Sequence, residues 1–120
     1  MANEITVTAA LAYAKDGTSF SAAVTALSIT VSGARFIHAR QSIGTSEEAL
    51  DLGDIGTGGW LLAINRHASA VIEIRSGTGA TDLVRMNGGE PALFRVSADA
   101  TAPFAIASAA ADLEYWLIAA

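Results

Sequence analysis

Apolar and polar positions alternate with a period of two along almost the whole chain, the spacing of strands with one covered face. In residues 4–13, Ile5, Val7, Ala9, Leu11 and Tyr13 fall on one side and Thr6, Thr8 and Ala10 on the other. Asp16-Gly17 is a turn signal. Residues 24–31 alternate again, with Leu27, Ile29 and Val31 set against Ser28 and Thr30, and Ser32-Gly33 turns the chain. A third strand is expected over 35–43, ending at Gly44. Shorter ones follow at 49–52, 60–65, 71–75, 82–86, 92–96, 104–107 and 113–118. Residues 60–65 are apolar on both faces, which suits a buried central strand. The starts at 60, 71, 82 and 92 keep the spacing of about 8–12 residues typical of sandwiches and barrels.

Two segments compete as helices. Residues 46–52 open with Ser46 but carry Ala49 three positions later, so the capping box is absent. Residues 105–115 contain the Ala-rich run 107–111. Ten short strands with connections this brief cannot make parallel crossovers, so the expected fold is an all-β antiparallel sandwich. An eight-stranded jelly roll with an extra N-terminal hairpin fits the count. An immunoglobulin-like sandwich fits less well, since there is no Cys pair flanking a Trp. No linker, charge block or low-complexity tail marks a second domain, so residues 1–120 are read as one sandwich domain, with residues 1–15 as an N-terminal arm or edge strand.

Composition narrows the class. Of 120 residues, 52% are hydrophobic, but 26 of these are Ala. Charged residues make up only 16%, against about 25% in an average soluble protein. Mean hydropathy is +0.41. No apolar run approaches the roughly 18 residues of a membrane span, and the apolar content is too high for disorder. A net charge of −5 argues against nucleic acid and against an anionic membrane surface as partners. The absence of Cys removes disulfides, iron–sulfur clusters, thiolate zinc sites and Cys nucleophiles. Met1-Ala2-Asn3-Glu4 offers no basic start for a secretory leader, so synthesis and residence in the cytosol, or export within a larger assembly, is expected.

Catalytic chemistry finds little support. His38 and His67 have no ligand partner at metal spacing, so no metal site is expected. Glu47, Glu48, Asp51 and Asp54 lack the alternating Asp/Asn pattern of a calcium loop and read as a solvated or Arg-paired acidic loop. The glycines of residues 53–59 precede a strand and lack the Lys-Ser/Thr ending of a phosphate loop; they read as a turn needing positive φ. No nucleophile elbow is present. No catalytic residue and no cofactor is therefore expected. The Arg residues say more. Arg75, Arg85 and Arg95 recur ten apart at strand ends, suited to pairing within the chain with Glu73, Glu90 or Glu114, or with a neighbouring subunit's carboxylates. Tyr115 and Trp116 are adjacent, so a strand must turn one away from the other, and at least one is a candidate contact residue. Candidate interface positions are thus Ile5, Val7, Arg75, Arg85, Arg95, Tyr115 and Trp116.

A wider pattern emerges from residues 41–50 (QSIGTSEEAL), 52–56 (LGDIG), 60–65 (WLLAIN), 71–74 (VIEI), 89–95 (GEPALFR) and 112–115 (DLEY). Together they resemble small proteins encoded among the virion structural genes of tailed bacteriophages. The resemblance covers most of the chain from Gln41 onward. It rests on strand and turn signatures, so it implies a shared β-sandwich and a structural role, with no catalytic site. It leads to the expectation of a non-enzymatic virion protein, made in the host cytoplasm. In its sharpest form this is a head decoration or cement protein binding the major capsid protein or other virion proteins, as a homo-oligomer with a trimer favoured. Residues 1–15 would add to a neighbouring sheet. A tail tip, baseplate or fibre module is the alternative within the virion. A carbohydrate-binding jelly roll using Trp60, Tyr115 or Trp116 is the alternative outside it.

Overall fold

The structure is a computed structural model and describes residues 4–31, 34–97 and 103–120. It contains ten strands in chain order: β1 (Ile5–Lys15), β2 (Thr18–Ile29), β3 (Phe36–Ile43), β4 (Glu48–Ala49), β5 (Gly58–Asn65), β6 (Ile72–Arg75), β7 (Asp82–Met86), β8 (Pro91–Arg95), β9 (Phe104–Ala107) and β10 (Ala111–Ala119). There is no helix among the described residues. The chain divides into two compact units, Met1–Ser32 and Gly33–Ala120.

The first unit is a two-stranded antiparallel ribbon of β1 and β2. Its turn places Asp16 at φ 52° and Gly17 at φ 82°. Two central residues at positive φ twist the chain in the sense a tight hairpin needs. β2 starts at Thr18, six residues before the strand expected at 24. The alternation is hidden there because its parity changes: Phe20, Ala22 and Val24 are even, while Leu27 and Ile29 are odd. A bulge absorbs the change. Val7 faces Leu27, Ala9 faces Val24, and the extra residue on β2 falls between. Ala26 takes φ 52° there, and its N–H donates to the Thr8 hydroxyl at 3.1 Å. Both apolar sets therefore lie on one side of the ribbon.

The second unit is a sandwich of two four-stranded sheets, ordered β3-β10-β5-β8 and β4-β9-β6-β7. The pairs nest: β3 with β10, β4 with β9, β5 with β8, β6 with β7, all antiparallel. Pairs β10–β5 and β9–β6 knit the nested pairs into sheets. This is a long hairpin rolled on itself, the jelly-roll topology. The expected helix over 105–115 is instead β9, a turn and β10. Ala105, Ala107, Ala111, Leu113, Tyr115 and Leu117 are all buried, and only a period of two puts them on one face. Residues 46–52 hold β4 and loop.

One core fills the sandwich. Ile43, Leu61, Ala63, Leu113, Tyr115 and Leu117 from the first sheet meet Ile72, Ile74, Met86, Ala105 and Ala107 from the second. A buried amide closes one end. Asn65 is fully buried; its Nδ2 donates to the carbonyls of Ala70 at 2.7 Å and Met86 at 3.0 Å, and its Oδ1 accepts from the His67 N–H at 3.0 Å. His67 Nδ1 accepts from the N–H groups of Ser69 and Ala70, turning the same loop. Gly88 seats the next turn against this loop: a Cβ there would lie 2.3 Å from the Ala68 carbonyl oxygen. Of the glycines in residues 53–59, only Gly53 takes positive φ, contrary to the expectation for that segment as a whole. Gly58 and Gly59 instead serve close approach, to the Leu117 side chain and to the backbone of Ile118 and Ala120.

Candidate interaction surface

The outward face of the β3-β10-β5-β8 sheet follows from its register. Because side chains alternate, burying Leu61, Ala63, Leu113, Tyr115 and Leu117 turns their neighbours out. His38 faces Trp116, Trp116 faces Leu62, and Leu62 faces Leu93, forming a row across all four strands. The next row is Arg40, Glu114, Ile64 and Pro91. On the other side, Phe36 faces Ile118, and Trp60 faces Arg95. Phe36 is 69% exposed, Leu93 40% and Leu62 36%.

The charged groups on this face largely neutralise one another. Glu114 accepts from His38 Nε2 at 2.6 Å and from Arg66 Nε at 2.7 Å. Arg40 Nε donates to Asp112 at 3.1 Å. The His38 ring lies flat on the Trp116 indole, with centroids 4.4 Å apart and planes 4° from parallel. The hydrogen bond from His38, and then that from Arg66, hold the Glu114 carboxyl below the usual carboxylate range. What remains facing outward is an apolar and aromatic strip with a self-paired polar corner. Such a surface fits another protein better than it fits a charged ligand.

Each residue singled out from the sequence has a definite place. Trp116 lies on the strip, and Arg95 lies at its rim. Tyr115 lies in the core, with its hydroxyl donating to the Asp51 carbonyl at 2.6 Å. The pleat thus divides the adjacent aromatic pair, Trp116 outward and Tyr115 inward. Burial, and the charge of Asp51 after it, push the Tyr115 hydroxyl above its usual pKa. Arg75 donates to Asp82 at 2.7 Å and to Glu47 at 2.9 Å. Its partners are therefore carboxylates of its own chain, but not the Glu73, Glu90 or Glu114 expected. Arg85 donates to the Asn87 side chain. The three arginines do not converge on one site. Ile5 and Val7 lie on the apolar side of the ribbon.

The acidic loop is likewise dispersed. Glu47 binds Arg75 and the Gly79 N–H, Glu48 accepts from the Gly44 N–H, Asp51 from the Gly53 N–H, and Asp54 pairs with Arg35 at 3.5 Å. Among the described residues no group of three His, Asp or Glu could hold a metal ion, and no helix is long and apolar enough to cross a membrane. Phe36, Leu62, Leu93 and the His38–Glu114–Arg66 cluster were not singled out from the sequence. The available signal was the two-sided apolarity of residues 60–65. It marked a central strand, and β5 is central, but its second apolar side faces outward. An apolar cleft of about 200 Å³ lies elsewhere, between Ile74, Leu83, Val84, Phe94, Val96 and Pro103.

Compared with known protein families, with curated proteins and with solved structures, the chain gives no match.

Proposed function

We propose that this chain is a non-enzymatic structural protein of a bacteriophage virion, decorating the head and tying neighbouring major capsid subunits together as a homo-oligomer. The reading rests on the resemblance of residues 41–115 to virion structural proteins. The observation that carries it is the outward face of the β3-β10-β5-β8 sheet. One row carries Trp116, Leu62 and Leu93 across it, Phe36 stands exposed on the same face, and Glu114, His38, Arg66, Arg40 and Asp112 pair within the chain. A lattice binder needs a rigid scaffold presenting such a face, and a jelly roll with a closed core supplies one. The glycan reading loses its Tyr115 platform to the core, and His38 covers one face of Trp116.

The test is co-sedimentation of the purified protein with empty heads and, separately, with isolated tails. Head binding is expected, with occupancy falling more than tenfold in Leu62→Glu/Leu93→Glu, two exposed positions whose change leaves the core intact. Binding to tails alone moves the protein to a tail module. Binding to neither overturns the virion reading.

A further inference from the structure

The chain has three asparagines, Asn3, Asn65 and Asn87, and only Asn87 is followed by glycine. Asparagine is a thermally labile residue because the backbone nitrogen of the next residue can attack its side-chain amide carbon. Glycine has no Cβ and leaves that nitrogen unshielded. The fold treats the two described asparagines differently. Asn65 is fully buried, and its Nδ2 donates to the carbonyls of Ala70, Met86 and Asn87 at 2.7, 3.0 and 3.2 Å. Asn87 is exposed, at the first position of a turn closed by the Glu90 N–H on the Asn87 carbonyl at 3.0 Å. Gly89 takes φ 81°, as the third position of a type II turn requires.

The groups that take part in such an attack are arranged for it at this turn. The Gly88 N–H, which must lose its proton and attack, makes no hydrogen bond among the described residues. The Asn87 Nδ2, which must leave as ammonia, makes none either. The Asn87 Oδ1 accepts from Arg85 Nε at 3.1 Å. A guanidinium there stabilises the negative charge that develops on this oxygen as the amide carbon becomes tetrahedral. Ring closure must turn the Asn87-Gly88 peptide against the two bonds on the Asn87 carbonyl, from the Glu90 N–H and from Asn65 Nδ2. Both are ordinary neutral hydrogen bonds, so they slow the closure without forbidding it.

We propose that Asn87 deamidates in the folded protein, with the Gly88 nitrogen as nucleophile and Arg85 polarising the amide, and that the isoaspartyl product loosens the end of the sandwich closed by Asn65. Hydroxide takes the proton from the Gly88 nitrogen, which bonds to Asn87 Cγ. The Cγ–Nδ2 bond breaks, and ammonia leaves with a proton from water. A further water opens the cyclic imide at either carbonyl, so the net change consumes water and releases ammonia. Opening at Cγ restores the backbone and leaves an aspartate carboxylate beside Arg85. Opening at the main-chain carbonyl gives isoaspartate, whose main chain runs through Cγ and is a carbon longer. The longer turn displaces Gly88 from a seat so close that a Cβ there would lie 2.3 Å from the Ala68 carbonyl oxygen. It also turns the former Asn87 carbonyl, an acceptor for Asn65 and Glu90, into a free carboxylate.

The test is to hold the full chain in a mildly alkaline buffer, folded and in parallel unfolded in urea, and to map its peptides by mass. In the folded chain the peptide with Asn87 is expected to gain the mass of an amide-to-acid conversion, as two chromatographic isomers, while the peptide with Asn65 keeps its amide. A folded chain that keeps the Asn87 amide over a period that converts the unfolded chain overturns the proposal, since the turn then protects the bond. Arg85→Gln is expected to slow conversion in the folded chain about threefold or more, and to change the rate in urea far less. Arg85→Lys, which keeps the charge, should recover most of the rate. Equal rates for the folded Arg85→Gln and unmodified chains overturn the part given to Arg85. The separated isoaspartyl form is expected to melt below Asn87→Asp, which carries the same charge on a normal backbone. Coincident melting overturns the link to Asn65.

Discussion

The ribbon and the sandwich are built from the same strand alternation, yet they use it differently. In the sandwich, nested pairing closes the apolar faces of two sheets on one core, and Leu61, Ile72, Met86 and Leu113 are removed from water almost entirely. In the ribbon, ten apolar residues share a face; Ile5 at its base is buried, but Leu11, Tyr13, Phe20, Val24 and Leu27 stay 45–65% exposed. The difference is one of strand number. Four strands per sheet give a second sheet something to cover, while two strands pair along one edge each and form no second sheet to cover the apolar side. An identical pattern thus gives a closed core in one region and a largely uncovered apolar face in the other.

The comparison breaks most sharply at matched leucines. Leu61→Ala opens a cavity in the sandwich core and should cost about 3 kcal/mol or more. Leu11→Ala, in the ribbon of an isolated chain, should cost under about 0.5 kcal/mol. Urea unfolding of both variants at sub-micromolar concentration measures the contrast, and equal losses would erase the distinction between the regions.

A somewhat smaller effect is expected at the end of the sandwich. Asn65→Ala leaves the buried carbonyls of Ala70 and Met86 without their donor, at about 2–3 kcal/mol. Thermal unfolding reads this. Asn65→Asp should fare no better, because a buried carboxylate facing two carbonyl oxygens is repelled by them.

Tyr115→Phe keeps the ring in the core and removes only the hydroxyl bond to Asp51, for about 1 kcal/mol. It also removes a pH dependence. The folded pKa of Tyr115 is raised above 10.0, so its contribution is complete below that value and is lost as pH rises through the folded pKa. The alkaline limb of the stability curve should flatten in Tyr115→Phe.

The smallest effects separate the outer strip from the ribbon. Glu114 has a lowered folded pKa, so its contribution is present above its usual 4.5 and is lost as pH falls through the folded value. Glu114→Gln should flatten the acid limb of the stability curve between that usual value and the lower folded one. In the ribbon, Ala26→Gly relieves the positive φ at the bulge while adding unfolded-state entropy, for a net gain of a few tenths of a kcal/mol. Hydrogen exchange at the Ala26 amide, which donates to Thr8, should slow slightly. Faster exchange there would mean that the strain is not where the dihedral places it.

Much of this architecture was legible along the chain, for a physical reason: strands carry their burial code locally. Nine of the ten expected strands are matched along most of their length, the one expected over 49–52 shrinks to β4 at Glu48–Ala49, and the turn at Asp16-Gly17 sits between β1 and β2. The start of β2 was not legible, because the bulge near Ala26 shifts the parity of the alternation and so conceals residues 18–23. The outer strip was hidden for a related reason. Trp60, Leu62 and Ile64 read as the second buried side of a central strand, since hydropathy does not distinguish an apolar face covered within the chain from one that faces outward. The Arg75 pairs with Glu47 and Asp82 were out of reach because they depend on which loop the rolled hairpin brings beside β6.

The sequence by itself determined the all-β class, the strand count and the inward side of most strands, because side-chain alternation and turn chemistry act over a few residues. Only the tertiary structure decided which strands became neighbours, that Tyr115 points in while Trp116 points out, and that Asn65 locks three backbone segments. Those outcomes depend on long-range pairing, where many registers satisfy the local pattern and only closure of one common core selects among them.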